Sequence, residues 1–382
     1  MRTSSLRAVV VASSLVACAG GVSSQTTVTV GAGQTLVEAD LDAGIFDGQV
    51  FDLSTSTVFE VSDGGVMQRI GGRSVSGVRY YDFDGNRIVL RDGGTTGGGI
   101  EANTSQATVL NNARIDAFDG GVIGGSDTYS RSVITLWPGS EMGGTFTASI
   151  DLNIGSIVNV NGGTVRRLRA SASVIDMASG NLGSPSLFDS SRATISGGTA
   201  GNIRMFSGST LDMTDGTLAY VEMNRNQFRD PTRFSMTGGM LTGNPVNGVS
   251  LDISGGSTRN GQPHAATVSG GRILGTVDIG DGALLTINAR RLWLDGSPLP
   301  LELGAPLLIE QRQGSLLTGF LADGSPISIT LNDESGFVQG EDFIRSDATL
   351  HAFLLPSPGV LTLLGLCGLK LSRRRRDLRA RG

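Results

Sequence analysis

The sequence predicts an all-β chain: a right-handed parallel β-helix of about 10–12 coils with a C-terminal β cap and a short C-terminal membrane helix. Three observations lead there. A short pattern (apolar, polar, apolar, then two small residues ending in glycine) begins at Phe59, Ile88, Ile115, Ile134, Val158, Ile175, Ala193, Leu211, Phe234, Leu251, Ala266 and Val277. Its glycines are Gly64, Gly93, Gly120, Gly139, Gly163, Gly180, Gly198, Gly216, Gly239, Gly256, Gly271 and Gly282, and they divide the intervening chain into steps of about 20 residues, a solenoid spacing. Glycine supplies 57 of the 382 residues while charged residues supply only 17%, so turns are frequent and the surface is rich in Ser, Thr and Asn.

The pattern has a physical reading. Alternation of apolar and polar residues is the period of a half-buried strand, with the residues five and three before each glycine facing a common core. The shared glycine then marks a turn position with positive φ, which glycine adopts without steric cost. Strands stacked about 4.8 Å apart make twelve coils into a rod on the order of 55 Å long. A β-sandwich of short strands is the alternative, but it would not need the same glycine in every copy.

Taken in order, residues 1–24 have the layout of a secretory signal: Arg2 and Arg7, an apolar run from Ala8 to Ala19, then small residues allowing cleavage after Ala19 or Ser24. Leu15-Val16-Ala17-Cys18 is similar to a lipobox, whose use would lipidate Cys18. Residues 25–56 are irregular and are expected to cap the N-terminal end. Residues 57–291 hold the repeats. Residues 292–353 lose the motif and are expected to form the C-terminal β cap, with a hairpin around Asp323-Gly324 covering the open end. Cys18 and Cys367 both fall in the terminal segments, so the body has no disulfide and is held by packing alone. The net charge of -5 includes a basic tail, which leaves the rest more acidic and argues against nucleic acid as a partner.

Residues 354–382 form a three-part tail. Pro356, Ser357, Pro358 and Gly359 cannot continue a helix or enter a sheet interior, an apolar run extends to Leu369, and Arg373, Arg374, Arg375 and Arg376 supply the charge that holds a terminus on the cytoplasmic side. This order resembles the PEP-CTERM sorting signal of bacterial exosortase substrates, with Ser357 standing where that motif usually has Glu. The body resembles repeat-rich bacterial β-solenoid surface proteins. The resemblance implies Sec export and signal peptidase processing, transient residence in the inner membrane, and transfer by an exosortase-type enzyme to the cell envelope, cell surface or extracellular space. An ordinary tail anchor is the alternative.

Chemistry is harder to find. The mid-strand position reads Asn159, Asp176, Thr194, Asp212, Ser235, Asp252, Thr267, Asp278, so with one copy per coil the aspartates are expected two rungs apart, as a solvated face without stacked like charges. Asp82-Phe83-Asp84-Gly85-Asn86 resembles part of a calcium loop but lacks the downstream Glu, and reads as a turn. His264 and His351 have no Cys partners in the body, and Tyr80, Tyr81 and Trp137 are as suited to packing as to sugar stacking. No catalytic residue, metal or cofactor is expected. The expected function is a non-enzymatic cell-surface or extracellular-matrix component with extracellular polysaccharide as a candidate partner; the alternative is a carbohydrate-active β-helix, a polysaccharide lyase or a glycan-binding adhesin.

Overall fold

The structure, a computed structural model, describes residues 26–355 apart from interior stretches, the longer of which are 52–56, 68–73, 83–86, 91–94, 97–107, 144–149, 224–229, 254–260 and 334–339. The signal segment, the tail from Pro356 onward with its arginines, and Gly64, Gly93 and Gly256 lie outside the described residues. What is described is predominantly strand, stacked in a large, mainly parallel sheet system that is solenoid-like.

Three columns of strands run through the molecule. The first joins Thr26–Val30, Thr57–Val61, Arg87–Leu90, Arg114–Ala117 and Val133–Leu136 to the leading halves of Ile157–Val165, Val174–Leu182, Arg192–Met205 and Thr210–Met223. It continues through Arg233–Met236, Ala265–Val268, Leu284–Leu294 and Thr349–Leu354, every pairing parallel. A second column of two-residue rungs includes Thr95–Thr96, Val122–Ile123, Glu141–Met142, Met240–Leu241 and Arg272–Ile273. The third runs from Val78–Asp82 through Thr108–Asn111, Asp127–Ser130, Ile150–Asn153, Leu168–Ser171 and Ser186–Phe188 to Val249–Ile253, Thr276–Ile279 and Phe343–Ile344.

The inward positions fill the space between columns. Phe59, Ile134, Val158, Ile175, Ala193, Leu211 and Leu251 are buried five before the motif glycine, and Val61, Leu136, Val160, Met177, Ile195, Met213 and Ile253 three before it. Alternation therefore translates directly into stacked apolar rows, each rung covering the side chains of the one below. Burial of this kind is worth roughly 25 cal/mol per Å² of apolar surface, which explains how a disulfide-free body coheres.

Nine of the motif glycines are described, and eight have positive φ: Gly120, Gly139, Gly180, Gly198, Gly216, Gly239, Gly271 and Gly282. Gly163 is the exception; Gly162 takes the positive-φ place at 120°, while Gly163 leaves room for Ser140 and Leu136. From Gly180 to Gly271 the glycines also stack. A Cβ on Gly198 would lie 2.5 Å from Met177 Cε and 2.7 Å from Gly180 O, so this corner depends on glycine for space as well as for φ.

One part of the motif reading is corrected. The copies at Leu251 and Val277 do not belong to the first column; Leu251 pairs with Val221 and Val277 in the third. The motif specifies a strand followed by a turn, and third-column strands can satisfy it too. Arg233 pairs with Ala265 in the first column, so the copies at Phe234 and Leu251 occupy two faces of one long coil. Conversely, the rung at Leu284–Leu294 has the inward residues Leu285 and Ile287 without a motif glycine.

At the corner leading into the first column stands a buried polar row: Ser132, Ser156, Ser173, Ser191, Ser209, Thr232 and His264. Ser156 donates its hydroxyl to Tyr129 O (2.9 Å), Ser173 to Asn153 O (2.9 Å) and Ser191 to Ala170 O (2.8 Å). These hydroxyls tie the corner to carbonyls of the third-column strands that lead into it. Further on, Ser315–Leu321 and Pro326–Leu331 form the expected antiparallel hairpin around Asp323-Gly324, and Pro306–Leu308 lies antiparallel against Thr349–Leu354, covering the edge of the last first-column rung.

Candidate functional site

The outward side of the third column gathers the most unusual chemistry. Its register places Asp151, Arg169, Ser186, Arg204, Glu222, Asp252 and Asp278 in a single file, one residue per rung. Each alternates with inward residues such as Leu187, Ile203, Met205 and Val221, so strand periodicity fixes all seven on the outer face.

The file changes sign along its length. Toward the N-terminal end, Arg169 Nε is 3.9 Å from Asp151 Oδ1, an ion pair too long for a hydrogen bond, and burial raises the Asp151 carboxyl while Arg169 partly offsets the rise. Arg204 Nε lies 3.0 Å from Glu222 Oε2. Three carboxylates then follow on consecutive rungs, Glu222, Asp252 and Asp278. Tyr220 donates its hydroxyl to Asp252 Oδ2 at 3.0 Å, and burial together with the surrounding carboxylates holds that phenol above its ordinary range. Asp278 is only 9% exposed, and its Oδ1 is buried without a hydrogen-bond partner. Burial first, and then the charges of Asp252 and Asp342, push its carboxyl up to about 7. Asp342 itself accepts the amide hydrogens of Val277 and Thr330, each at 2.8 Å, although burial still raises it.

Between the two arginine rungs the surface dips into a slot of about 410 Å³, lined by Arg167, Leu168, Arg169, Ser184, Ser186, Asn202 and Arg204. The dip follows from side-chain size. Ser186 stands between Arg169 and Arg204 in register, so one coil offers hydroxymethyl groups where its neighbours offer guanidinium arms. Gly183 and Gly201 hold these coils close, Gly201 donating its amide hydrogen to Gly183 O at 2.7 Å. Beside the slot Phe188 and Phe206 stack, centroids 4.6 Å apart and rings 3° from parallel, and the Arg169 guanidinium sits 5.4 Å from the Phe188 ring centre.

No family model, no curated protein and no solved structure matches the chain. What the surface can do must therefore be read from its own groups. The basic half offers guanidinium forks suited to carboxylate or sulfate. The acidic half offers one buried carboxyl with a high proton affinity beside two further carboxylates.

The other residues singled out in the sequence are dispersed. Asp176 and Asp212 are on the first column, two rungs apart with Thr194 between them, as the alternation predicts. Asp252 and Asp278 contradict it: they pair directly, because their two motif copies are successive third-column rungs. His264 is buried, its Nδ1 accepting the amide hydrogen of Thr232 at 3.1 Å, and burial lowers its basicity. His351 lies in the last first-column strand, edge-on to Phe353. Trp137 stacks on Phe118 with centroids 6.0 Å apart. The Asp82–Asn86 turn is outside the described residues beyond Asp82, and the side chains of Tyr80 and Tyr81 are too. Among the described residues no three His, Cys, Asp or Glu side chains are placed to hold a metal ion, and no helix is long and apolar enough to cross a membrane. The arginine slot escaped sequence reasoning because Arg169 and Arg204 fall in stretches outside the glycine motif copies; their signal is the phrase Leu168-Arg169-Ala170 recurring as Ile203-Arg204-Met205.

Proposed function

We propose that this chain is an exported, exosortase-sorted, right-handed parallel β-helix that serves as a non-enzymatic component of the cell surface or extracellular matrix. The observation that carries the reading is the unbroken first column from Thr26–Val30 to Thr349–Leu354, a stack whose inward rows are apolar and whose outward rows are hydroxyl and charged. Such a body is a stiff spacer that presents long polar faces. Its charged groups run in file along the third column, one per rung, which supports a long binding or structural face. The signal-like residues 1–24 and the Pro356-Ser357-Pro358-Gly359 tail support export through Sec, cleavage by signal peptidase and sorting from the inner membrane.

Replacing Pro356 and Pro358 together tests the sorting step. The variant is expected to stay in the inner membrane with its tail intact, and mass spectrometry of the mature C-terminus reads the outcome; unchanged processing rejects exosortase sorting. A second reading, a carbohydrate-active β-helix, is favoured by the arginine slot and the adjoining carboxylates. Release of unsaturated sugars from acidic polysaccharides by the purified protein would establish a lyase and displace the structural role.

A further inference from the structure

We infer that the slot between the Arg169 and Arg204 rungs is a binding site for an anionic polysaccharide, one that carries carboxylate or sulfate groups on well-spaced sugars. This rests on reading the rod as a surface component exposed to such polymers. Within the slot none of the seven lining residues is acidic, and three are arginines. Arg167 makes no ion pair among the described residues, Arg169 reaches Asp151 only at 3.9 Å, and Arg204 shares Glu222 at 3.0 Å on the side facing the acidic rungs. The slot therefore keeps a positive surplus although the chain as a whole is acidic. Guanidinium groups at the walls can take a carboxylate or sulfate in the two-pronged geometry that arginine favours. Ser184, Ser186 and Asn202 line it with donors and acceptors matched to sugar hydroxyls.

Spacing and neighbours select the polymer. Arg169 and Arg204 are two rungs apart, about 9.6 Å at the usual strand separation, comparable to the length of a disaccharide. A polymer with a charge on every sugar or on every second sugar would place one charge at each wall. Duplex DNA carries a phosphate about every 3.4 Å along each strand, a density the two walls do not match, and the rungs that follow would repel it with Glu222, Asp252 and Asp278. The stacked Phe188 and Phe206 lie two residues on from Ser186 and Arg204, Phe206 just past the end of its strand, and give the apolar face of a sugar ring a flat partner.

The test is calorimetric titration of the full-length protein with polygalacturonate, its methyl ester, dextran sulfate, neutral dextran and duplex DNA. Binding is expected for polygalacturonate or dextran sulfate, the stronger of the two naming the anionic group, with weakening as salt is raised. The Arg167→Gln/Arg169→Gln double variant is expected to lose ~tenfold or more in affinity. Ser186→Glu, which puts a carboxylate on the slot floor and removes no arginine, should abolish binding, whereas Arg233→Gln on the first column should leave it unchanged. Unchanged melting of each variant shows that the rod is intact. The inference is overturned by equal binding to the methyl ester, by affinity that ignores both slot variants, by tighter binding to DNA, or by no binding to any anionic glycan. Those outcomes leave the Pro356 and Pro358 sorting experiment untouched, so the slot and the surface role fail separately.

Discussion

Asp252 pairs rung-to-rung with Asp278 in the third column, so two carboxyl groups stack on neighbouring strands with Asp342 close by. Burial, and then repulsion from Asp252 and Asp342, raise Asp278 to about 7, from about 3.9 in an unfolded chain. A carboxyl with a raised folded pKa keeps its proton on folding, so its contribution to stability is complete below about pH 4 and is lost as pH climbs through about 7. Between those limits stability should fall by up to ~1.4 kcal/mol per pH unit for this group. Urea melts across that range read the slope, and Asp278→Asn should flatten it. An Asn variant with the original slope would assign the titration elsewhere.

His264 acts in the opposite sense. Its ring is held below the ordinary histidine range by burial, and as a neutral acceptor it receives the Thr232 amide hydrogen. Its contribution is present above about pH 6.5 and is lost as pH falls through the lower folded value. Removing the ring in His264→Ala should erase the acid-side loss of stability, at the cost of a lower plateau at neutral pH. The same urea melts extended downward in pH measure it.

The buried serine row should carry measurable stability. Ser191 donates to Ala170 O at 2.8 Å and accepts the Ser173 amide hydrogen at 3.3 Å, both buried. Ser191→Ala leaves those groups without a partner and should cost about 1–3 kcal/mol. Ser196→Ala, in the strand that follows, removes only a partly exposed hydroxyl bond to Met177 O at 3.2 Å and should cost less, about 0.5–1 kcal/mol. Chemical denaturation of the pair checks the contrast.

Two motif glycines separate space from backbone conformation. Gly198 and Gly282 both have positive φ, 78° and 66°, but an added Cβ would collide at Gly198 and meets nothing within 4 Å at Gly282. Gly282→Ala should therefore cost only the ~1–2 kcal/mol of a left-handed alanine. Gly198→Ala should cost clearly more, since Met177 and the Gly180 backbone must also shift. Equal midpoints in parallel denaturation curves would mean that the glycine corner is not tightly packed.

Much of the stack was legible because strand alternation and turn glycine are local signals. Ile134, Leu136, Val158 and Val160 point inward for the reason their spacing gives. Column membership is not local: Leu251-Asp252-Ile253 and Leu211-Asp212-Met213 read alike, yet lie on different faces because a long coil separates Arg233 from its partner Ala265. That difference moved Asp252 beside Asp278 and hid the acidic rungs. The serine row was visible two residues before each first inward residue, as in Ser156-Ile157-Val158 and Ser173-Val174-Ile175, but a lone serine there looks like any turn residue until the coils are stacked. The slot depends on Ser186 falling between Arg169 and Arg204, a relation among three coils that register alone reveals.

The strand Thr349–Leu354 is the last rung of the first column, and the chain leaves it at Leu355, whose amide hydrogen still bonds to Ala289 O at 3.1 Å. Tension on the residues beyond is thus delivered to a six-residue strand held by Leu284–Leu294 on one edge and Pro306–Leu308 on the other. Pulling along the rod loads those hydrogen bonds end-on, while the coils before them stay clamped. That rung is therefore the first element to take up such a load, and the stacked core behind it the last.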